Sequence, residues 1–141
     1  MDLNKLEQQI DSIINLHSQN NSQENFQNEF IYELLLAYDF PKSSITRLKK
    51  GDYNQANNDG EILWKKKLFF KIERQNDLLL TIDEAQHNDA ILKHNPRFII
   101  VTDYKTLLAV DTVVGDSLDI PFTKLSEHYA FFLPWAGMEN I

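Results

Sequence analysis

The chain contains no cysteine, which excludes disulfides and every thiolate metal site. It has only four glycines, and none belongs to a Gly-rich phosphate loop. No apolar run approaches the roughly 18 residues of a membrane span. The polar start Met1-Asp2-Leu3-Asn4-Lys5 is unlike a secretory leader. Together these absences predict a cytoplasmic protein with no membrane partner. The four histidines, His17, His87, His94 and His128, lack metal-ligand spacing. Cations are also scarce: 14 Lys and Arg stand against 21 Asp and Glu, a net charge of −7. That balance argues against a protein that coats nucleic acid. What is present is 141 residues of 43% hydrophobic and 11% aromatic content, enough to bury about two-thirds of the unfolded surface in one domain.

The scarce cations are concentrated. Between Lys42 and Arg74 lie nine of them against four anions (Asp52, Asp59, Glu61 and Glu73), a local charge of +5 that leaves −12 elsewhere. Such an island can face a phosphate backbone, and Lys49, Lys50, Lys65, Lys66 and Lys67 are its candidate DNA contacts. Lysines scattered over several solvated faces are the alternative.

At the centre of the island, Glu61–Trp64 and Leu68–Glu73 read as two strands joined by a charged turn at Lys65–Lys67. This hairpin carries Glu61, Lys71 and Glu73. Acids and lysine on adjacent strands are what a metal-dependent nuclease needs, and also what an ordinary solvated hairpin presents.

Ahead of the hairpin, Leu3, Leu6, Ile10, Ile13 and Ile14 recur at helical spacing and predict an amphipathic helix over residues 2–17. Asn20, Asn21 and Ser22 break it. A second helix, about 23–38, should bury Phe26, Phe30, Ile31, Leu34 and Leu35 and stop before Pro41. Ser43 or Ser44 is the expected cap of a third helix that ends at Gly51. Residues 52–60 are rich in turn formers.

After the hairpin, Leu78–Gln86 reads as a helix capped by Asp77, with a short turn at Asp89–His94. Phe98-Ile99-Ile100-Val101 is a continuous run of the kind found in a strand buried on both faces. Strands Thr106–Asp111 and Ser117–Ile120 follow, then a short helix through Leu125 and His128. Asp103 and Asp111 are expected to cap turns, and Trp64 and Trp135 to lie in the core. Glu33 is placed on exposed helix surface, the alternative being an additional site carboxylate. The apolar end, Phe131-Phe132-Leu133-Pro134-Trp135, either packs back on the fold or continues into more chain.

The order helix, hairpin, helix, strand, strand resembles the PD-(D/E)-x-K nuclease core. More specifically, Arg97-Phe98-Ile99-Ile100-Val101-Thr102-Asp103, Leu107-Leu108-Ala109-Val110-Asp111 and the stretch from Ile120-Pro121-Phe122 through Glu127 to Ala136-Gly137 are similar to the MmeI-type N-terminal domain. The resemblance covers residues 24–138, with residues 1–21 as an additional amphipathic helix. It implies an α/β (α+β) restriction-endonuclease-like core, a mixed sheet flanked by helices. It also implies a place ahead of methyltransferase and target-recognition domains in a restriction-modification chain; no methyltransferase motif occurs within these residues.

The family's Asp, just before a Leu-Leu-Trp strand, falls here on Glu61, an exchange of one acid for another. Where the family has Glu-x-Lys, this chain reads Lys71-Ile72-Glu73-Arg74, with the lysine first. The resemblance implies Mg²⁺ held by Glu61 and Glu73, with Lys71 positioning the attacking water. Residues i and i+2 share one side of a strand, so the reversal keeps Lys71 and Glu73 on one face. The implied function is Mg²⁺-dependent DNA cleavage or an inactivated remnant of it. The implied partners are double-stranded DNA, bound weakly, and other domains of a larger methyltransferase chain. A non-catalytic DNA-binding or domain-docking module on the same scaffold is the alternative.

Overall fold

In the computed structural model, residues 1–18 and 24–139 are described, side chains at 17, 18 and 24–28 excepted. The expected helix break at Asn20–Ser22 and the expected burial of Phe26 lie outside them. The described chain is an α+β structure: α1 (Leu3–Ser18), α2 (Glu24–Ala37), α3 (Lys42–Lys50), β1 (Glu61–Trp64), β2 (Leu68–Ile72), α4 (Leu78–Gln86), α5 (Asp89–Leu92), β3 (Phe98–Thr102), β4 (Thr106–Asp111), β5 (Ser117–Pro121) and a 3₁₀ segment, Phe122–Ala136, kinked at His128. It divides into two compact units, Met1–Thr46 with Thr123–Ile141, and Arg47–Phe122. The helix expected at 23–38 belongs to the first of these, and the strands to the second.

In the first unit α1 packs on α2, and the apolar positions read from the sequence (Leu6, Ile10, Ile14, Phe30, Ile31, Leu34, Leu35) are buried. α2 stops before Pro41, as expected. Asp39 takes a left-handed φ of 70°, so Phe40 N–H reaches back to the Leu35 carbonyl and Asp39 N–H to that of Leu36, a Schellman closure. Pro41, not Ser43 or Ser44, starts α3: its carbonyl accepts from Ser44 and Ile45 N–H, which places both serines inside the first turn. The apolar C-terminal run packs inward. Tyr38 donates to the Tyr129 carbonyl at 2.6 Å and meets Phe132 and Trp135 edge-on, while those two rings stack at 4.9 Å. Burial pushes the Tyr38 phenol far up, with Tyr129 adding to the effect.

The second unit is a five-stranded mixed sheet in the order β1-β2-β3-β4-β5. β2 and β3 run parallel, linked through α4 and α5, and the other pairs are antiparallel. β3 is central and buried at every position, as its continuous apolar run requires. On one face Leu63, Phe69, Ile99, Val101 and Leu108 pack with Ile82, Ala85 and Ile91 of α4 and α5. Asp77 caps α4, accepting from Leu79 and Leu80 N–H at 2.8 and 3.3 Å. The polar loop before β1 shields the sheet edge, which would otherwise offer unpaired backbone groups. There the Asn54 side chain accepts from Leu63 N–H at 3.0 Å and donates to the Glu61 carbonyl.

Candidate functional site

Strand register assembles the cluster. Glu61 on β1 lies directly opposite Lys71 on β2, where antiparallel partners place their side chains on the same face. Glu73, two residues on, projects to that face as well, and its N–H extends the β2–β3 pairing to the Thr102 carbonyl at 2.9 Å. Lys71 Nζ therefore stands between two carboxylates, 3.6 Å from Glu61 Oε2 and 3.8 Å from Glu73 Oε1. All three residues singled out in the hairpin come together.

The two acids are held differently. Glu61 has one further partner, the Asn58 side-chain amide at 3.3 and 3.4 Å from its two oxygens. Glu73 is enclosed: Oε2 accepts from Gln75 and Asn76 N–H, and Oε1 from the Asn76 amide and the Thr81 hydroxyl. The single Thr81 proton also has the Asp77 carbonyl within reach at 3.0 Å, but the charged acceptor makes the stronger bond. Burial of Glu73 works against its ionisation, but the Gln75 N–H, the Asn76 amide, the Thr81 hydroxyl and the Asn76 N–H together hold its carboxyl below the usual range. Glu73 thus closes the turn that leads into α4.

A carboxylate offers about four lone-pair sites, and Glu73 has donors for all of them besides Lys71. Mg²⁺ demands near-octahedral oxygen ligands and dehydrates reluctantly. To take it, Glu73 would have to release its turn and Lys71 would have to leave. Among the described residues no group of three His, Asp or Glu could hold a metal ion. This donor set does not fit the metal.

The candidate DNA contacts form two groups away from this cluster. Lys49 and Lys50 are exposed on the last turn of α3, and Lys65 and Lys66 are exposed in the hairpin turn beside half-buried Lys67. Lys66 has φ 68°, and its N–H bonds the His94 carbonyl. The turn is at the far end of the hairpin from Glu61 and Glu73; the four residues from Lys67 to Lys71 span about 13 Å. Glu33 is half-buried on α2, in the first unit.

One partnership escaped the sequence. Arg97 grips Asp111 through Nε–Oδ1 at 2.9 Å and Nη2–Oδ2 at 3.1 Å. The Asp111 Oδ1 also accepts from Val113 and Val114 N–H. Burial opposes ionisation of Asp111, and these bonds with the Arg97 charge more than offset it, holding its carboxyl below the usual range. The available signal was the short β3–β4 turn, which brings the residue before Phe98 beside the residue that ends β4.

A mixed sheet whose outer hairpin sets a lysine between two acids on its helix-covered face defines an α+β domain with an ionic cluster at the sheet edge. The chain belongs to the family described as the MmeI N-terminal domain, whose match extends over residues 1–141. It is 39% identical over 113 residues to a Bacillus subtilis (strain 168) protein named DNA methyltransferase A, an alignment that takes in 80% of this chain and 13% of that protein. No solved structure matches it. No helix among the described residues is long and apolar enough to cross a membrane.

Proposed function

We propose that the chain is the nuclease-like domain of a restriction-modification DNA methyltransferase, and that its acid–lysine cluster has passed from cleavage to a structural role. The observation that carries this reading is the saturation of Glu73 by its own turn and α4, with the Lys71 ammonium lodged between the acids. Nuclease chemistry would need an open carboxylate for the metal and an amine directed at water. Here the amine is committed to two carboxylates, and the position of the acid in the family's Glu-x-Lys is taken by lysine. Misplacement of about 1 Å can cost on the order of a hundredfold in rate, and exchanging the two groups moves each by about 6–7 Å along the strand. The small share of its relative that the chain covers supports a role as one part of a longer polypeptide, with methylation carried out elsewhere in it.

The test is nicking of supercoiled plasmid with Mg²⁺ or Mn²⁺, comparing wild type with Glu61→Ala, Lys71→Ala and Glu73→Ala. No metal-dependent nicking is expected from any of the four. Nicking by the wild type that all three substitutions abolish would establish a working site with the lysine and acid exchanged.

A further inference from the structure

We infer that the outer end of the β1–β2 hairpin and the last turn of α3 form one contact surface for the phosphate backbone of duplex DNA, braced by a stack of Arg47, Tyr53 and Trp64. The Tyr53 ring lies nearly parallel to that of Trp64, with centroids 5.7 Å apart and planes 13° from each other. The Arg47 guanidinium sits 5.8 Å from the Tyr53 centroid, and Arg47 Nη1 donates to the Tyr53 hydroxyl at 3.1 Å. Trp64 ends β1 and is followed directly by Lys65. Arg47 is one helical turn from Lys50. The stack therefore ties the two basic groups to each other, although the chain separates them by a long polar loop.

A cation at a helix C-terminus is stabilised by the helix dipole, which accounts for Arg47, Lys49 and Lys50 on α3. It does not account for three consecutive lysines in the hairpin turn, nor for an exposed arginine held on an aromatic ring. Guanidinium fixed by stacking and by a hydroxyl loses less rotamer freedom on meeting a phosphate than a mobile one does. The acid–lysine cluster is at the opposite end of the hairpin, about 13 Å along the strand from the turn, and contributes no residue to this surface. The choice of DNA among polyanions rests on the methyltransferase context proposed above; the surface does not depend on whether the cluster cleaves.

Binding of a fluorescent duplex of arbitrary sequence, followed by anisotropy across a salt series, tests this. The wild type should bind at low salt, with log affinity falling against log salt by about 0.9 for each phosphate engaged. Lys65→Ala/Lys66→Ala and Arg47→Ala should each flatten that slope, by roughly 0.9 for every phosphate no longer engaged, while Arg47→Lys keeps it. Tyr53→Leu should weaken binding at unchanged slope, because it removes the brace and no charge. Glu61→Ala, which removes an anion and no cation, should bind at least as well as wild type, so failure of the cleavage reading would leave this result standing. Melting curves matching the parent establish that each variant is folded; should Tyr53→Leu melt early, Tyr53→Phe, which loses only the hydroxyl bond, replaces it. An unchanged slope in the lysine and Arg47→Ala variants, no binding at the lowest salt, or equal affinity for vesicles of anionic lipid would each overturn the assignment.

Discussion

Ile100→Asp should unfold the protein. Ile100 is 0% exposed, in the middle of the central strand, flanked in register by Phe70 on β2 and Ala109 on β4. Neither of these partners offers it a cation. A carboxylate placed there must either stay ionised in an apolar layer or take up a proton, and both cost several kcal/mol. Folded domains are stable by only about 5–15 kcal/mol, so the substitution consumes much or all of that margin. Ile100→Val, which removes one methylene group, should cost about 0.5–1.5 kcal/mol and serves as the control. Circular dichroism melting is the measurement. A melting midpoint equal to the parent's would mean that β3 is not the centre of the sheet.

Glu73→Ala is expected to have the next largest effect. It strips the Thr81 hydroxyl, the Gln75 and Asn76 N–H groups and the Asn76 amide of their common acceptor and leaves Lys71 with Glu61 alone. Gln75 and Asn76 are exposed and can turn to water, and Lys71 is 33% exposed, so the loss is well below the sum of the bonds. A cost of about 2–3 kcal/mol follows for removing a charged, largely buried acceptor. The pH dependence carries the same signature. The folded pKa of Glu73 is lowered, so its stabilisation is fully present above the unfolded value of about 4.3 and is lost as pH falls through the folded value. The variant should therefore lose less stability than wild type over that acid range, although Asp111, shifted in the same direction, keeps part of the slope. A cost under about 0.5 kcal/mol, the level of an ordinary surface change, would deny Glu73 its structural role.

How much of this is readable in the residues depends on whether the cause is local. The continuous run Phe98–Val101, the Asp77 cap and the hairpin follow from neighbours in sequence, and all appear in the structure. Pro41 is a visible stop for α2, whereas the device that closes the helix, Asp39 in a left-handed conformation, is an uncommon choice that only the closing hydrogen bonds reveal. Ser43 and Ser44 resemble caps by type, yet the Pro41 carbonyl begins α3 ahead of both. The facing of Glu61, Lys71 and Glu73 is legible because strand periodicity fixes it. The saturation of Glu73 is not, since it depends on how the turn at Gln75 and Asn76 folds back and on Thr81 arriving from α4. Arg97 with Asp111, and Tyr53 on Trp64, likewise join residues that only the tertiary structure brings together.

The measurement that bears most directly on a structural acid–lysine cluster is thermal unfolding of the wild type in excess Mg²⁺ and in chelator. A ligand present at about a hundred times its dissociation constant stabilises the folded state by about 2.7 kcal/mol, which in a domain of this size raises the midpoint by several degrees. With Glu73 filled by its own turn and Lys71 between the acids, the two curves should superimpose, and Glu61→Gln should melt alike in both solutions. A midpoint several degrees higher in Mg²⁺, with the rise lost in Glu61→Gln, would show that the two carboxylates hold the metal and would contradict a purely structural cluster.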